Sequence, residues 1–160
     1  MKKSIFSIIG VLFLASFMFV ACEETEGVAD PYTDWEARNQ AYIDSIAEVA
    51  KNNPAEWKVI RSYKLPSSFT GVNDNIYCKV LKEGTGGISP IFTDVALPVQ
   101  FTVNAVITGW TTALQQMKAG DRWEVYIPSD LAYGDNGQSS IPGFSTLIFD
   151  MTLVDVTTDR

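Results

Sequence analysis

The spacing of apolar residues changes character at Pro54, and that change bounds the fold. Upstream, Trp35, Tyr42, Ile46 and Val49 recur at helical spacing until Asn52-Asn53-Pro54 ends the run. Thr33-Asp34-Trp35-Glu36 has the Thr-x-x-Glu spacing of a capping box. Together these predict a helix over roughly 34–52, read as a spacer docked on the rest of the chain. Downstream the apolar stretches are short and alternating. Trp57–Ile60, Ile76–Leu81 and Pro98–Val103 read as strands, and Glu83–Gly87 as a turn. A second helix is marked by Trp110, Leu114 and Met117 at i, i+4 and i+7. Thr108 is its candidate N-cap, Lys118 falls in its last turn, and Gly120 suits the position after its end. Trp123, Val125 and Ile127 then alternate with Arg122, Glu124 and Tyr126, the pattern of a half-buried strand. After a loop over 128–144, Leu147, Phe149, Met151 and Leu153 share one face of a last strand. One short helix among antiparallel strands predicts an α+β domain, with a curled sheet (a half-barrel) wrapped over that helix.

The first residues form an address. Lys2 and Lys3 precede an apolar run from Ile5 to Ala21, and Cys22 follows directly. A charged start, an apolar middle and a small residue before the cut make a secretory signal. Ala21-Cys22 resembles a lipobox, where the new N-terminal cysteine is acylated. The competing reading, a single membrane-spanning helix, wants about 20 apolar residues and no cleavage-like end. Glu23 to Pro31 is polar and reads as a flexible, solvated tether. The expected organisation is therefore a signal peptide over 1–21, a lipidated linker with one helix over 22–56, and a domain over 57–160. Its expected place is the cell envelope, anchored through acylated Cys22 to the outer membrane of a Gram-negative bacterium, with the periplasmic or surface face left open.

Composition narrows the chemistry. The chain has 160 residues, a formal charge of −7 and no histidine. That charge repels phosphate backbones, so nucleic acid is not an expected partner. Without an imidazole, Ser-His-Asp and Cys-His nucleophile systems are unavailable. Neither a metal site nor a cofactor is expected, and Cys78 reads as a small apolar strand residue.

The residues from Val106 onward resemble those of FKBP-type peptidyl-prolyl cis-trans isomerases. Val106-Ile107-Thr108-Gly109-Trp110 and Leu114-x-x-Met117-Lys118-x-Gly120-Asp121 match the family's helix. Tyr126-Ile127-Pro128, Leu131-Ala132-Tyr133-Gly134, Ile141-Pro142 and Leu147-x-Phe149-Asp150-x-x-Leu153 follow in the family's order. The resemblance covers about 98–156, with a lead-in at Val80–Gly86. It implies that Val106, Ile107, Trp110, Tyr133, Ile141 and Phe149 line a proline pocket, with the Trp110 indole as floor. It further implies that the Ile107 N–H and the Tyr133 hydroxyl hold the ligand's carbonyls. Trp110, Tyr133 and Ile107 are thus the expected catalytic residues, acting on Xaa-Pro bonds of exported proteins. Taken singly, Trp110, Tyr133 and Phe149 each read as ordinary core, and only the ordered series reverses that.

The sequence also departs from the family. Between Gly87 and Val99 the family carries a central strand with a Tyr, followed by Phe-Asp-Ser. Here only Ile88–Pro98 fills the interval, and residues 57–69 are the candidate replacement. Two alternatives to an isomerase stay open on this ground: a non-catalytic proline-peptide-binding or chaperone module, and a structural envelope lipoprotein whose pocket is relic core. The anchoring expectation has a direct check. Cys22→Ser should abolish incorporation of a clickable fatty acid and release the chain from membranes; undiminished labelling would place the acyl chain elsewhere.

Overall fold

The computed structural model describes residues 30–66, 68, 70–87, 89–91, 95–97 and 101–157. The apolar run over 5–21, Cys22 and the Ile88 and Phe92–Asp94 positions lie outside these. A compact unit runs from Tyr32 to Arg160. Within it, α1 (Trp35–Asn52) precedes β1 (Trp57–Arg61) and β2 (Asn75–Lys82). Short strands β3 (Val95–Leu97) and β4 (Phe101–Thr102) lead to α2 (Thr108–Leu114). The chain closes with β5 (Arg122–Ile127), β6 (Leu147–Thr152) and β7 (Asp155–Thr157).

The α+β class is as expected: an antiparallel sheet in the order β1-β2-β5-β6 packs against the short helix α2. Register is set by pairs such as Tyr77 opposite Tyr126 and Val125 opposite Phe149. Ile76, Cys78, Trp123, Val125 and Ile127 face Ala113, Leu114 and Met117 in one buried cluster. Cys78 is fully buried there, and desolvation pushes its thiol far above the ordinary range. It is a core residue with no nucleophilic character at neutral pH.

The opposite face departs from the half-buried pattern. Tyr126 is only 8% exposed, and with Tyr77 and Trp57 it packs under Ile43 and Ala50 of α1. The sheet is therefore covered on both faces at its centre, while Val59 and Ile148 on the α1 side are 50% and 48% exposed. The face of α1 that does this is Ile43, Ile46, Ala47 and Ala50, whereas Tyr42 and Val49 from the expected stripe are 40% and 42% exposed. Helical spacing admits either set, since each falls on one side of the cylinder. Only the aromatic partners on the sheet choose between them.

Several local expectations are also corrected. Asp34 occupies the N-cap of α1 in the left-handed region (φ 54°) without a side-chain cap bond, so the capping box does not form. Ile107, not Thr108, precedes the first turn of α2, and Thr108 instead accepts from Lys64 Nζ at 3.0 Å. The helix stops at Leu114, leaving Met117 buried in a following turn. Gly120 (φ +94°) closes that turn, where the Asp121 carboxylate accepts from the N–H groups of Lys118 and Gly84, each at 2.6 Å. The backbone comes so close here that a Cβ on Gly84 would lie 2.4 Å from the Ala119 carbonyl oxygen.

The interval read as lacking a strand holds β3, which pairs with β4 and β7 in a separate three-stranded sheet. β1 lies at an edge of the main sheet, so residues 57–61 do not supply an interior strand. Of the expected strand over Pro98–Val103, Phe101–Thr102 is extended, Val103–Ala105 is a 3-10 turn, and the preceding residues are not described.

The aromatic layer under α1 has a pH signature. Burial is the first cause raising the Tyr77 and Tyr126 phenols above their ordinary value of 10.0, and the Tyr126 hydroxyl also donates to Glu124 Oε2 at 2.8 Å. The folded state thus holds these protons more tightly than the unfolded chain does. Their contribution is complete below about pH 10 and is lost as pH rises further. Urea midpoints should be flat up to about pH 9 and fall beyond about pH 10, and Tyr126→Phe should flatten that fall. An unchanged slope in the variant would contradict the assignment.

Candidate functional site

The site is built from α2 and the segment that enters it. The Thr111 hydroxyl, fully buried, donates to the Val103 carbonyl oxygen at 2.6 Å and so ties the 103–105 turn to the helix. This bond sets where Val106 and Ile107 emerge. Gly109 lets α2 lie directly on β5: a Cβ there would meet Cγ2 of Ile127 at 2.4 Å. With the helix so close, the next residue, Trp110, reaches Phe149 across the sheet. Their rings sit 5.1 Å apart at 90°, an edge-to-face pair.

Val106, Ile107, Trp110 and Phe149 all pack against the same core cluster and all remain half-buried. They form an apolar floor that still reaches the surface. Tyr133 and Ile141, also half-buried, sit on the loop between β5 and β6. Leu131 within the core and Ala132 packed against it fasten the start of that loop to the same cluster. Gln138 and Ile141 exchange backbone bonds of 2.9 Å, and the Phe144 N–H donates to the Gly134 carbonyl oxygen at 2.9 Å, so the loop is folded on itself. Two of its non-glycine residues, Ser139 and Phe144, hold positive φ (54° and 59°). Such a conformation costs about 1–3 kcal/mol each and persists only when surrounding contacts enforce it.

Two polar groups of the expected site have a notable state. Among the described residues, none accepts from the Ile107 N–H, and none bonds the Tyr133 hydroxyl. Half-buried donors of this kind are satisfied by solvent or by a ligand. Among the described residues, no group of acidic, Cys or His side chains is arranged to hold a metal.

A separate cleft of about 250 Å³ lies on the α1 side of the molecule, lined by residues that include Glu36, Asn39, Asp130 and Thr146. It shares no residue with the Trp110 set. Its lining is mostly polar, with Phe144 as its one aromatic side chain beside Ile43 and Pro128, and so is less suited to a proline ring than an apolar surface.

Residues that the sequence reading did not single out support the loop. Asn39 on α1 accepts from the Thr146 N–H at 2.8 Å, and Trp35 Nε1 donates to Ser145 Oγ at 3.3 Å. These pairs are 107 and 110 residues apart in the chain, and no local signal announces them.

An α+β domain with an edge-to-face Trp110–Phe149 pair on its core is the class that the fold defines. Comparison with known proteins narrows it. Residues 83–154 match the family described as FKBP-type peptidyl-prolyl cis-trans isomerase. The chain is 50% identical over 60 residues to the FKBP-type 22 kDa peptidyl-prolyl cis-trans isomerase of Escherichia coli, covering 37% of this chain and 29% of that protein. It is 39% identical over 127 residues to the outer membrane protein MIP of Legionella longbeachae, covering 74% of this chain and 54% of that one. The crystal structure of a peptidyl-prolyl cis-trans isomerase from Pseudomonas syringae superposes with a TM-score of 0.59 at 25% identity, over 82% of this chain and all of that one. Over residues 83–154 the chain carries the pattern of the FKBP-type peptidyl-prolyl cis-trans isomerase family. It spans less than a third of the length of the first curated relatives it matches.

The contact at Gly109 can be tested. Alanine normally favours a helix over glycine by about 1 kcal/mol. Here Ile127 is fully buried and cannot yield, so overpacking of about 1–3 kcal/mol should win. Gly109→Ala is expected to lower the urea midpoint; a rise would show that α2 stands off the sheet.

Proposed function

We propose that this domain accelerates cis–trans exchange of Xaa-Pro bonds, with the proline ring lying on Trp110 against Phe149. The observation that carries the proposal is the half-buried Trp110–Phe149 pair, 5.1 Å apart; in this reading the Ile107 N–H and the Tyr133 hydroxyl, which have no described partner, lie beside it. The family match over residues 83–154 supports it. Val106, Ile107 and Ile141 complete the apolar lining in this reading, and the two donors hold carbonyls of the bound chain.

The chemistry follows from amide resonance. Rotation about the bond faces a barrier of roughly 18–20 kcal/mol, because nitrogen shares its lone pair with the carbonyl. The planar form is the more charge-separated one. A site that excludes water penalises it, while the twisted nitrogen loses little by leaving water. Donors that fit the twisted amide better than the planar one lower the barrier further. A differential of about 3 kcal/mol is a factor of roughly a hundred in rate. No covalent intermediate enters, which suits a chain with no histidine. The clients in this reading are exported proteins. A relative named outer membrane protein MIP supports a place in the envelope, with the Cys22 acyl chains as the proposed anchor and residues 1–21 as the proposed signal.

The missing Phe-Asp-Ser favours a second reading, a module that binds proline-containing segments without speeding their exchange. One experiment separates the two. Exchange of an Ala-Pro peptide, followed by exchange NMR, should quicken with the chain present. Trp110→Ala should cut kcat/KM by about tenfold or more, equivalent to at least 1.4 kcal/mol of lost transition-state stabilisation, and Tyr133→Phe by a smaller factor. Peptide line-broadening without faster exchange would establish the binding module instead.

A further inference from the structure

The geometry points to α1 as a working part of the site: we propose that Asn39 is a positioning residue, holding the loop that carries Tyr133 and Ile141 in its ligand-ready form. The Asn39 carboxamide is itself immobilised, since Nδ2 donates to the Trp35 carbonyl oxygen at 2.9 Å within the helix. Its Oδ1 then faces the Thr146 N–H at 2.8 Å, and its backbone carbonyl receives the Thr146 hydroxyl at 3.4 Å. One turn earlier, Trp35 Nε1 donates to Ser145 Oγ at 3.3 Å, and that hydroxyl passes its own proton to the Pro142 carbonyl oxygen at 2.7 Å. Pro142 follows Ile141 directly.

The clamp therefore grips residues 142–146 from outside, where the loop most needs help. Phe144 holds φ 59°, a conformation its side chain disfavours, and its N–H closes the loop onto Gly134 beside Tyr133. If the Thr146 end is released, Phe144 is free to relax, and the Gly134 closure that sets Tyr133 goes with it. The clamp reaches the bound chain only through Tyr133 and Ile141, so its effect is read in kcat/KM, together with the order of the loop itself.

A third contact of α1 serves as control. Gln40 and Asn73 form a reciprocal amide pair of 2.9 and 3.3 Å, docking the same helix without reaching the loop. Loss of one ordinary hydrogen bond corresponds to roughly a three- to tenfold change in an equilibrium. In the full chain, Asn39→Ala should speed hydrogen exchange across 141–146 by about that factor. kcat/KM for an Ala-Pro peptide should fall comparably. Asn39→Asp, which keeps the acceptor for Thr146 but loses the donor to Trp35, should restore both in part, and Gln40→Ala should move neither. Ser145→Ala, cutting the clamp from the loop side, should reproduce the Asn39→Ala pattern and serves if that variant does not fold. The activity arm rests on the isomerase reading; should the parent chain not isomerise, the exchange arm decides alone. Loop amides unmoved by both Asn39→Ala and Ser145→Ala, or loosened equally by Gln40→Ala, would overturn the role.

Discussion

The central strands β2 and β5 are buried on both faces around Tyr77 and Tyr126, and most other features of the molecule follow from that. Trp123, Val125 and Ile127 meet α2 on one side, while Tyr77 and Tyr126 meet α1 on the other. A fully covered strand has no solvated face to absorb error, so register is pinned from two directions at once. The bulky aromatic layer under α1 is large enough to need the helix: exposed, it would be an apolar patch of the kind that drives association. Bound to the sheet, α1 becomes a wall of the domain.

That wall explains how a small domain keeps a long loop in order. The segment between β5 and β6 folds over itself with two non-glycine residues at positive φ, and such a loop holds its shape only under external constraint. Core contacts through Leu131 and Ala132 secure one end, and polar contacts from α1 secure the other. The aromatic floor is secured differently. Trp110 depends on α2 lying flush on β5, which Gly109 permits and Thr111 reinforces. The two halves of the site are thus held by separate devices, apolar and close-packed for the floor, hydrogen-bonded for the rim.

Much of this was legible in the residues. The helix over 34–52, the strands at 57–60 and 76–81, and the alternation of Trp123, Val125 and Ile127 all rest on local periodicity. Periodicity survives because it reflects which side of an element faces the core. Errors fell where that rule is silent. The apolar stripe of α1 was assigned to Tyr42 and Val49, since spacing alone cannot tell which of two sides meets a partner. Thr108 and Thr33 were assigned capping roles on residue type, yet Thr108 instead bonds Lys64, 44 positions away. The strand β3 at Val95–Leu97 escaped notice because three residues are too few to show a pattern, and its pairing with β7 is long-range.

By itself, then, the chain's order of residues determined the class of fold, the two helices, the identity of the aromatic and polar groups at the floor, and the kinship they imply. These are local or collinear properties, carried by neighbours in sequence. Only tertiary structure decided that the centre of the sheet is covered on both faces, that Tyr126 is buried, and that Asn39 meets Thr146. Such contacts join points distant in the chain, 107 residues for Asn39 and Thr146, and they exist only after the whole chain has closed upon itself, when geometry rather than spacing selects which groups can touch.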